Sequence, residues 1–365
     1  MTRVAFYGSS LLSAYWNGAA TYYRGLIAAL ARHGYDVTFF EPDAFERQAH
    51  RDIDPPPWAS SVIYPATEAG VREVLKAASD ADVVIKASGV GVFDDELLAG
   101  VIEHVRPGAL AVYWDVDAPA TVAAMRGVND HPVRRALPAL DLVLTYGGGA
   151  PVVEAYAELG ATRCVPIYNA LDPTWHYPVA ADASFAADLS FLANRLPDRE
   201  ARTDEFFLAA ARYLPEHRFL LGGSGWRDKP LPPNVRVVGH VPTDQHNAFN
   251  CSALAVLNVA RESMARFGFS PATRIFEAAG AGACLITDVW DGVERFLKPD
   301  EEILIARDGR DVAAHVRDLT FQRARAIGHR ARHRILAEHT YERRAFQVDA
   351  LCSALLASKR RGMAA

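Results

Sequence analysis

Cysteine is scarce: Cys164, Cys251, Cys284 and Cys352 lie far apart, and no CxxC pair occurs. That spacing excludes a disulfide framework and a cysteine-ligated zinc site. The apolar surroundings of three of the four predict buried thiols in a reducing compartment. Long apolar runs are absent as well. No stretch approaches the roughly 18 uncharged apolar residues of a membrane span. Met1 to Tyr7 lacks the apolar core and small-residue cleavage site of a secretory signal, so a cytosolic protein is expected. Nor is there a basic excess. Lys plus Arg (39) against Asp plus Glu (44) leaves −5, which gives no electrostatic reason to expect a nucleic-acid partner. The basic run Lys359-Arg360-Arg361 reads as a solvated tail. GxGxxG, GxSxG, a P-loop, HExxH and a Cys/His nucleophile pair are all missing. The twelve histidines are scattered and read mostly as surface residues.

What is present is apolar material in a regular arrangement. Half of the 365 residues are hydrophobic, enough at roughly 150 residues per domain for about two buried cores. In the first half, short apolar runs alternate with helical segments. Arg3–Tyr7 reads as a strand and Ala19–His33 as a helix closed by Gly34. Val37–Phe40 is the next strand, ending in an acidic turn at Glu41-Pro42-Asp43. Ala81–Lys86, Ala109–Trp114, Leu142–Tyr146 and Thr162–Pro166 continue the series. Such runs, alternating with helices, predict βαβ units around a parallel sheet.

The second half restarts the pattern. Ala187–Ala193, Arg218–Leu221, Val235–Val238, Leu254–Val259, Cys284–Thr287 and Ile303–Ala306 read as strands, with a helix over Arg202–Tyr213. Between the halves, Asn169 to Pro178 is rich in turn formers and lacks periodicity, as a hinge would. The expected fold is α/β, with two doubly wound domains facing across a cleft. Ligands bind such sheets at the carboxyl ends of the strands. Fold alone leaves sugar-nucleotide transferases, epimerases, periplasmic-type binders and some dehydrogenases open, so the loops must decide.

Four loops carry candidate chemistry. The stretch Gly8 to Gly18 opens a helix, and its glycines let amides approach an anion or a sugar, or simply permit tight turns. Its glycine spacing is too long for a dinucleotide fingerprint, and only Glu41 stands where a ribose-binding acid would be needed. Asp115 and Asp117 sit at a strand tip, where carboxylates serve as general bases, hydroxyl ligands or helix caps. Gly147-Gly148-Gly149 is a further cleft-facing turn or a plain β–α turn. The strongest signal is Phe269 to Gly282: Ser270 reads as an N-cap and Pro271 as the first helical residue. Arg274 and Glu277, three apart, then share one face near the positive end of the helix dipole. A free helix start plus an Arg suits a diphosphate, and a carboxylate one turn on suits ribose hydroxyls. The bland alternative is a surface ion pair worth a few tenths of a kcal/mol.

Taken together, these segments resemble the GT-B-fold glycosyltransferases, and within them the group related to the spore-maturation protein CgeB. Pro166 to Asp172, closed by Tyr177-Pro178, resembles the hinge. Phe191 to Leu196 resembles the strand and Arg loop that contacts donor phosphate. Leu221 to Gly225 and Val238 to Pro242 resemble the next two strand ends, the second beside the base. Arg274 to Gly282, followed by Cys284 to Thr287, resembles the donor-binding helix and its next strand. The resemblance implies an acceptor domain over 1–170, a donor domain over 179–340, and a helix over 341–365 packing back on the first domain. It implies donor contacts from Gly18, Asn194, Arg195, Gly223 and His240, and from Val241, Arg261, Thr273, Arg274 and Glu277. It departs from the family in three places: Phe269 stands where many retaining relatives carry a second Glu, a phosphate-binding Lys is missing, with Arg199 or Arg202 as replacements, and Asp115 and Asp117 stand on the acceptor side where many relatives place a His. The expected reaction is sugar transfer from a nucleotide-diphosphate sugar, the co-substrate, to an acceptor. Asp115 or Asp117 would be the base, with no metal and no further cofactor. A non-catalytic nucleotide-sugar binder and a nicotinamide-dependent oxidoreductase are the alternatives.

Overall fold

Val83–Ala87, Leu110–Asp115 and Leu142–Thr145 are strands in which every residue is buried. Apolar runs of this kind need cover on both faces, which a parallel sheet between layers of helices supplies. The computed structural model describes residues 1–15 and 17–364. Trp16, in the loop after the first strand, and Ala365 lie outside the described residues. The chain forms two units, Met1–Tyr168 with Tyr341–Ala365, and Asn169–Thr340.

The first unit contains β1 (Thr2–Tyr7), β2 (Tyr35–Asp43), β3 (Ser60–Pro65), β4 (Val83–Ala87), β5 (Leu110–Asp115), β6 (Leu142–Thr145) and β7 (Cys164–Pro166). Their order is β3-β2-β1-β4-β5-β6-β7, with every pairing parallel. The chain moves outward from β1 to β3 and resumes on the other side of β1 with β4, so the switch point lies between β1 and β4. Glu41-Pro42-Asp43 is not a turn: it continues β2 and pairs with Ile63, Tyr64 and Pro65 of β3. The helix Tyr341–Ala364 packs on the helix Ala20–Arg32, and a Cβ on Gly25 would stand 2.2 Å from the Tyr341 ring. The basic run is not a free tail. Lys359 bonds the Asp141 carboxylate at 2.6 Å and the Ala109 carbonyl at 2.9 Å, and Arg360 stands 3.7 Å from Asp82.

The second unit contains β8 (Ala187–Leu192), β9 (Phe219–Gly222), β10 (Val235–Gly239), β11 (Ala253–Asn258), β12 (Leu285–Asp288) and β13 (Leu304–Ala306). The order β10-β9-β8-β11-β12-β13 is again all parallel, with the switch point between β8 and β11. Leu189, Phe191, Phe207, Phe219 and Leu257 form its core, and each such side chain contributes about 1.5–3 kcal/mol by leaving water. The helix expected from Arg202 begins earlier, at Pro197, whose missing N–H costs nothing in a first turn. It runs to Tyr213 through a π-helical stretch at Asp204–Leu208. All four cysteines are free thiols; Cys284 and Cys352 are buried, while Cys164 and Cys251 are only half-buried. No helix among the described residues is long and apolar enough to cross a membrane.

Candidate functional site

At the β1 tip, internal carboxylates already occupy the amides that a ligand would use. Glu41 Oε2 accepts from the Leu11 and Leu12 amides at 2.5 and 3.3 Å and from the Ser10 hydroxyl at 3.0 Å. Its Oε1 accepts from Gln48 at 2.6 Å, so Glu41 is committed to the loop and offers nothing to a ribose. Asp52 accepts from the Ala14 amide at 3.0 Å and pairs with Arg24 at 2.6 Å. Gly8 is required by space, since its Cβ would lie 2.4 Å from the Phe39 ring. At Gly18, by contrast, a Cβ would meet nothing within 4 Å among the described residues.

Asp115, expected to emerge at the β5 tip, is fully buried. Its Oδ1 accepts from Ser88 at 2.8 Å, Thr121 at 3.0 Å and the Asp117 amide at 3.0 Å, and its Oδ2 from Tyr156 at 2.5 Å. Burial, then the Asp115 charge, pushes the Tyr156 phenol far up, so it stays a donor. Asp115 is thus saturated by four internal donors, with no lone pair aimed at solvent. Asp117 is half-buried, at the N-cap of the helix Ala118–Met125. Gly147-Gly148-Gly149 is a plain β–α turn. Gly148 takes a left-handed φ of +92°, and its Cβ would clash with Val152 at 2.0 Å.

In the second unit the loops after β8, β9 and β10 are zipped together past the strand ends. Gly223 donates to the Gly239 carbonyl at 2.6 Å, Arg195 N–H to Ser224 at 3.0 Å, and Ser224 N–H to the Asn194 side chain at 3.0 Å. Gly223 has φ +111° and a Cβ position 2.1 Å from the Ala193 carbonyl, so no other residue fits. His240 is exposed just past β10, and Val241 beside it is buried. The cations expected to meet phosphate are engaged internally. Arg195 pairs with Glu200 at 2.8 Å and Asp228 at 3.0 Å. Arg202 binds Asp288 at 2.5 Å and Glu262 at 3.1 Å, and Arg261 binds Asp198 at 2.6 Å. A phosphate would take any of them only by displacing a carboxylate. Arg199 lies in the helix Pro197–Thr203.

The second helix after β11 begins later than its sequence suggests. Ser270 is not its N-cap: it donates to the Gly268 carbonyl at 2.9 Å, and the helix runs Thr273–Gly280 behind Ala272. The cause is upstream, where Gly268 and Phe269 both take left-handed φ values (+71° and +48°) and Phe269 N–H bonds Asp291 at 2.6 Å. Glu277 is buried at 8% exposure, which does not fit the alternative of a surface ion pair. His176 Nε2 stands 3.7 Å from its Oε1, and the His246 ring lies roughly parallel to His176 with centroids 6.5 Å apart. Burial drives the Glu277 carboxyl up, but His176, His246 and Arg274 outweigh it and hold the carboxyl below its ordinary value. Burial, with Glu277 opposing, pulls the Arg274 guanidinium down. Arg274 Nη1 is buried and has no hydrogen-bond partner, and neither do the Nδ1 atoms of His176 and His246.

His176 is buried and His246 half-buried, two exceptions to the expectation that most histidines lie on the surface. Nothing in their spacing marks them, because His176 falls in a turn-rich segment and His246 in a short helix. No group of three His, Cys, Asp or Glu side chains that could hold a metal occurs among the described residues.

A sequence-family model described as "Glycosyl transferase-like" matches residues 199–350. No curated protein matches the sequence. Among solved structures, the chain is similar to a sucrose-phosphate synthase from Thermosynechococcus elongatus. The identity is 16%, the TM-score 0.71, and the match covers 98% of this chain and 100% of that one. It is similar to HepE from Anabaena in complex with UDP and glucose, with 14% identity, TM-score 0.65, and coverage of 97% and 100%. It is also similar to an alpha-glucosyltransferase in complex with UDP-glucose and DNA containing an abasic site, with 12% identity, TM-score 0.71, and coverage of 97% and 99%. At these identities the likeness is one of fold: two Rossmann-like units of the GT-B glycosyltransferase architecture.

Proposed function

We propose that the protein is a glycosyltransferase of the CgeB-like group, working in the cytosol. It would move a hexosyl group from a nucleotide-diphosphate sugar to an acceptor hydroxyl, without a metal. The observation that carries this reading is the buried, unpartnered Nη1 of Arg274 one helical turn before buried Glu277. An orphaned guanidinium N–H is costly unless an anion completes it, and a diphosphate supplies that acceptor. Glu277 would accept from the ribose hydroxyls, with Thr273, Asn194, Gly223, His240 and Val241 around the nucleotide and Arg195 and Arg261 re-pairing onto it. The acceptor oxygen attacks the anomeric carbon, and the bond from that carbon to the diphosphate oxygen breaks. The diphosphate leaves with the electron pair, and the hydroxyl proton passes to Asp117, the base candidate that remains once Asp115 is committed to four donors. The matched family and the UDP-bound relatives of the same fold support this assignment. A nicotinamide site is disfavoured because Glu41 is occupied by its own loop.

Phe269 in place of an acid favours a second reading, a nucleotide-sugar binder without turnover. Thermal shift across UDP, GDP and their sugars tests both, since a ligand bound only by the native state raises the melting temperature. A shift with one nucleotide and release of labelled sugar supports the enzyme. A shift without release supports the binder, and no shift with any nucleotide overturns both. Turnover unchanged by a chelator is expected, and its full loss would contradict the metal-free reaction.

A further inference from the structure

Arg274 is drawn toward a ligand in the reading above, which leaves Glu277 with little to hold its carboxylate. No hydrogen bond to that carboxylate occurs among the described residues, and the nearest basic nitrogen among them is His176 Nε2, 3.7 Å from Oε1. His246 cannot take that part. Its Nε2 is turned to the Val241 carbonyl at 3.2 Å, and burial pushes its imidazole down.

His176 itself is gripped. The Asn247 side chain donates to the Trp175 carbonyl at 2.8 Å and accepts from the Tyr177 N–H at 3.3 Å, so the peptides on both sides of His176 are fixed. The Asp172 carbonyl accepts from the Trp175 and His176 amides at 3.2 and 3.0 Å. The segment also presses on the helix Thr273–Gly280: a Cβ on Gly280 would lie 2.3 Å from Leu171 and 3.1 Å from the His176 carbonyl. A 4%-exposed imidazole in so rigid a seat, with one nitrogen facing a buried carboxylate and the other without a partner, is not there for packing alone. An apolar ring would pack without leaving Nδ1 unsatisfied.

We infer that His176 is a positioning residue for the nucleotide donor: its Nε2 holds Oε1 of Glu277 so that the other carboxylate oxygen is presented to the ribose hydroxyls. This rests on the donor-site reading. It concerns how tightly nucleotide binds, and His176 itself touches no ligand.

The test is a double-mutant cycle read by calorimetric titration of UDP or GDP, whichever binds wild-type protein more tightly. His176→Phe keeps the ring and removes both nitrogens. It should weaken nucleotide binding about 5- to 10-fold, while His176→Gln, which keeps a donor at similar reach, should stay within about 3-fold of wild type. In a Glu277→Gln background, His176→Phe should change affinity less than about 2-fold, because its effect is routed through the carboxylate. Should the Phe variant fail to fold, His176→Asn, whose amide stops short of Oε1, takes its place in the cycle with the same expectation. An equal loss in both backgrounds, or no loss in either, overturns the inference. If Glu277→Ala also binds nucleotide like wild type, the donor-site reading itself has failed. If Glu277→Ala is weakened and the His176 variants are not, only the role of His176 falls.

Discussion

Asp115, at the end of β5 in the first unit, and Glu277, on the helix Thr273–Gly280 in the second, are both buried carboxylates, yet their surroundings differ in kind. Asp115 receives four hydrogen bonds, two of them from residues on the helices that follow β5 and β6. Glu277 has around it an ion pair at 3.7 Å, a guanidinium with a buried free N–H, and two imidazoles each with a free nitrogen. Buried polar groups are nearly always satisfied, so the complete network around Asp115 holds the fold together, and the incomplete one around Glu277 is what the proposed donor would complete. The loop after β1 sides with Asp115, because Glu41 fills it from within.

The largest effect should come from Asp115→Ala. Removing the acceptor strands the donors of Ser88, Thr121, Tyr156 and the Asp117 amide, at a cost of about 3 kcal/mol or more in denaturant unfolding. Nucleotide affinity of the folded protein should be unchanged. A stable variant that has lost only turnover would mean that Asp115 is a base after all.

The second effect is a pH dependence confined to Glu277. Its folded carboxyl lies below the ordinary value, whereas the unfolded chain titrates near about 4.3. The unfolded state therefore takes up the proton first as pH falls. The stability that Glu277 contributes is complete above about pH 5 and is lost as pH drops through the folded value. The stability gap between wild type and Glu277→Gln, measured by urea unfolding, should accordingly narrow from pH 7 to pH 3. A constant gap would mean that the surrounding cations do not stabilise the carboxylate.

The smallest effect should be at Gly18. With open space around it, Gly18→Ala should change stability and nucleotide affinity by no more than about 0.5 kcal/mol. A large loss of affinity there would reopen the loop after β1 as a ligand site.

Much of this was written in the sequence as hydrophobic runs, and every strand but β3 can be read from them. β3 is an edge strand, Ser60–Pro65, half-exposed and opening with two serines, so it carries no apolar run. The acids and proline of Glu41–Asp43 imitate a turn because β3, which pairs with them, is itself invisible. Arg274 and Glu277 were legible as a helical pair. The burial of Glu277 was not, because its neighbour His176 lies about a hundred residues away in a segment without periodicity. The same holds for Asp115: whether a strand-tip carboxylate is open or saturated depends on Ser88 and Tyr156, which only the fold brings to it.

Arg274 Nη1, buried without a partner, should be a burden to the protein alone and an asset once nucleotide is bound. Arg274→Met keeps an unbranched side chain and removes the charge. Calorimetric titration of the preferred nucleoside diphosphate should show affinity falling roughly 10- to 150-fold, the value of a charged hydrogen bond of about 1.5–3 kcal/mol. Thermal unfolding of the same variant without ligand should give a melting temperature equal to or above that of wild type. Unchanged affinity, or a loss of affinity matched by a loss of stability, would contradict the claim that this cluster is left open for the donor.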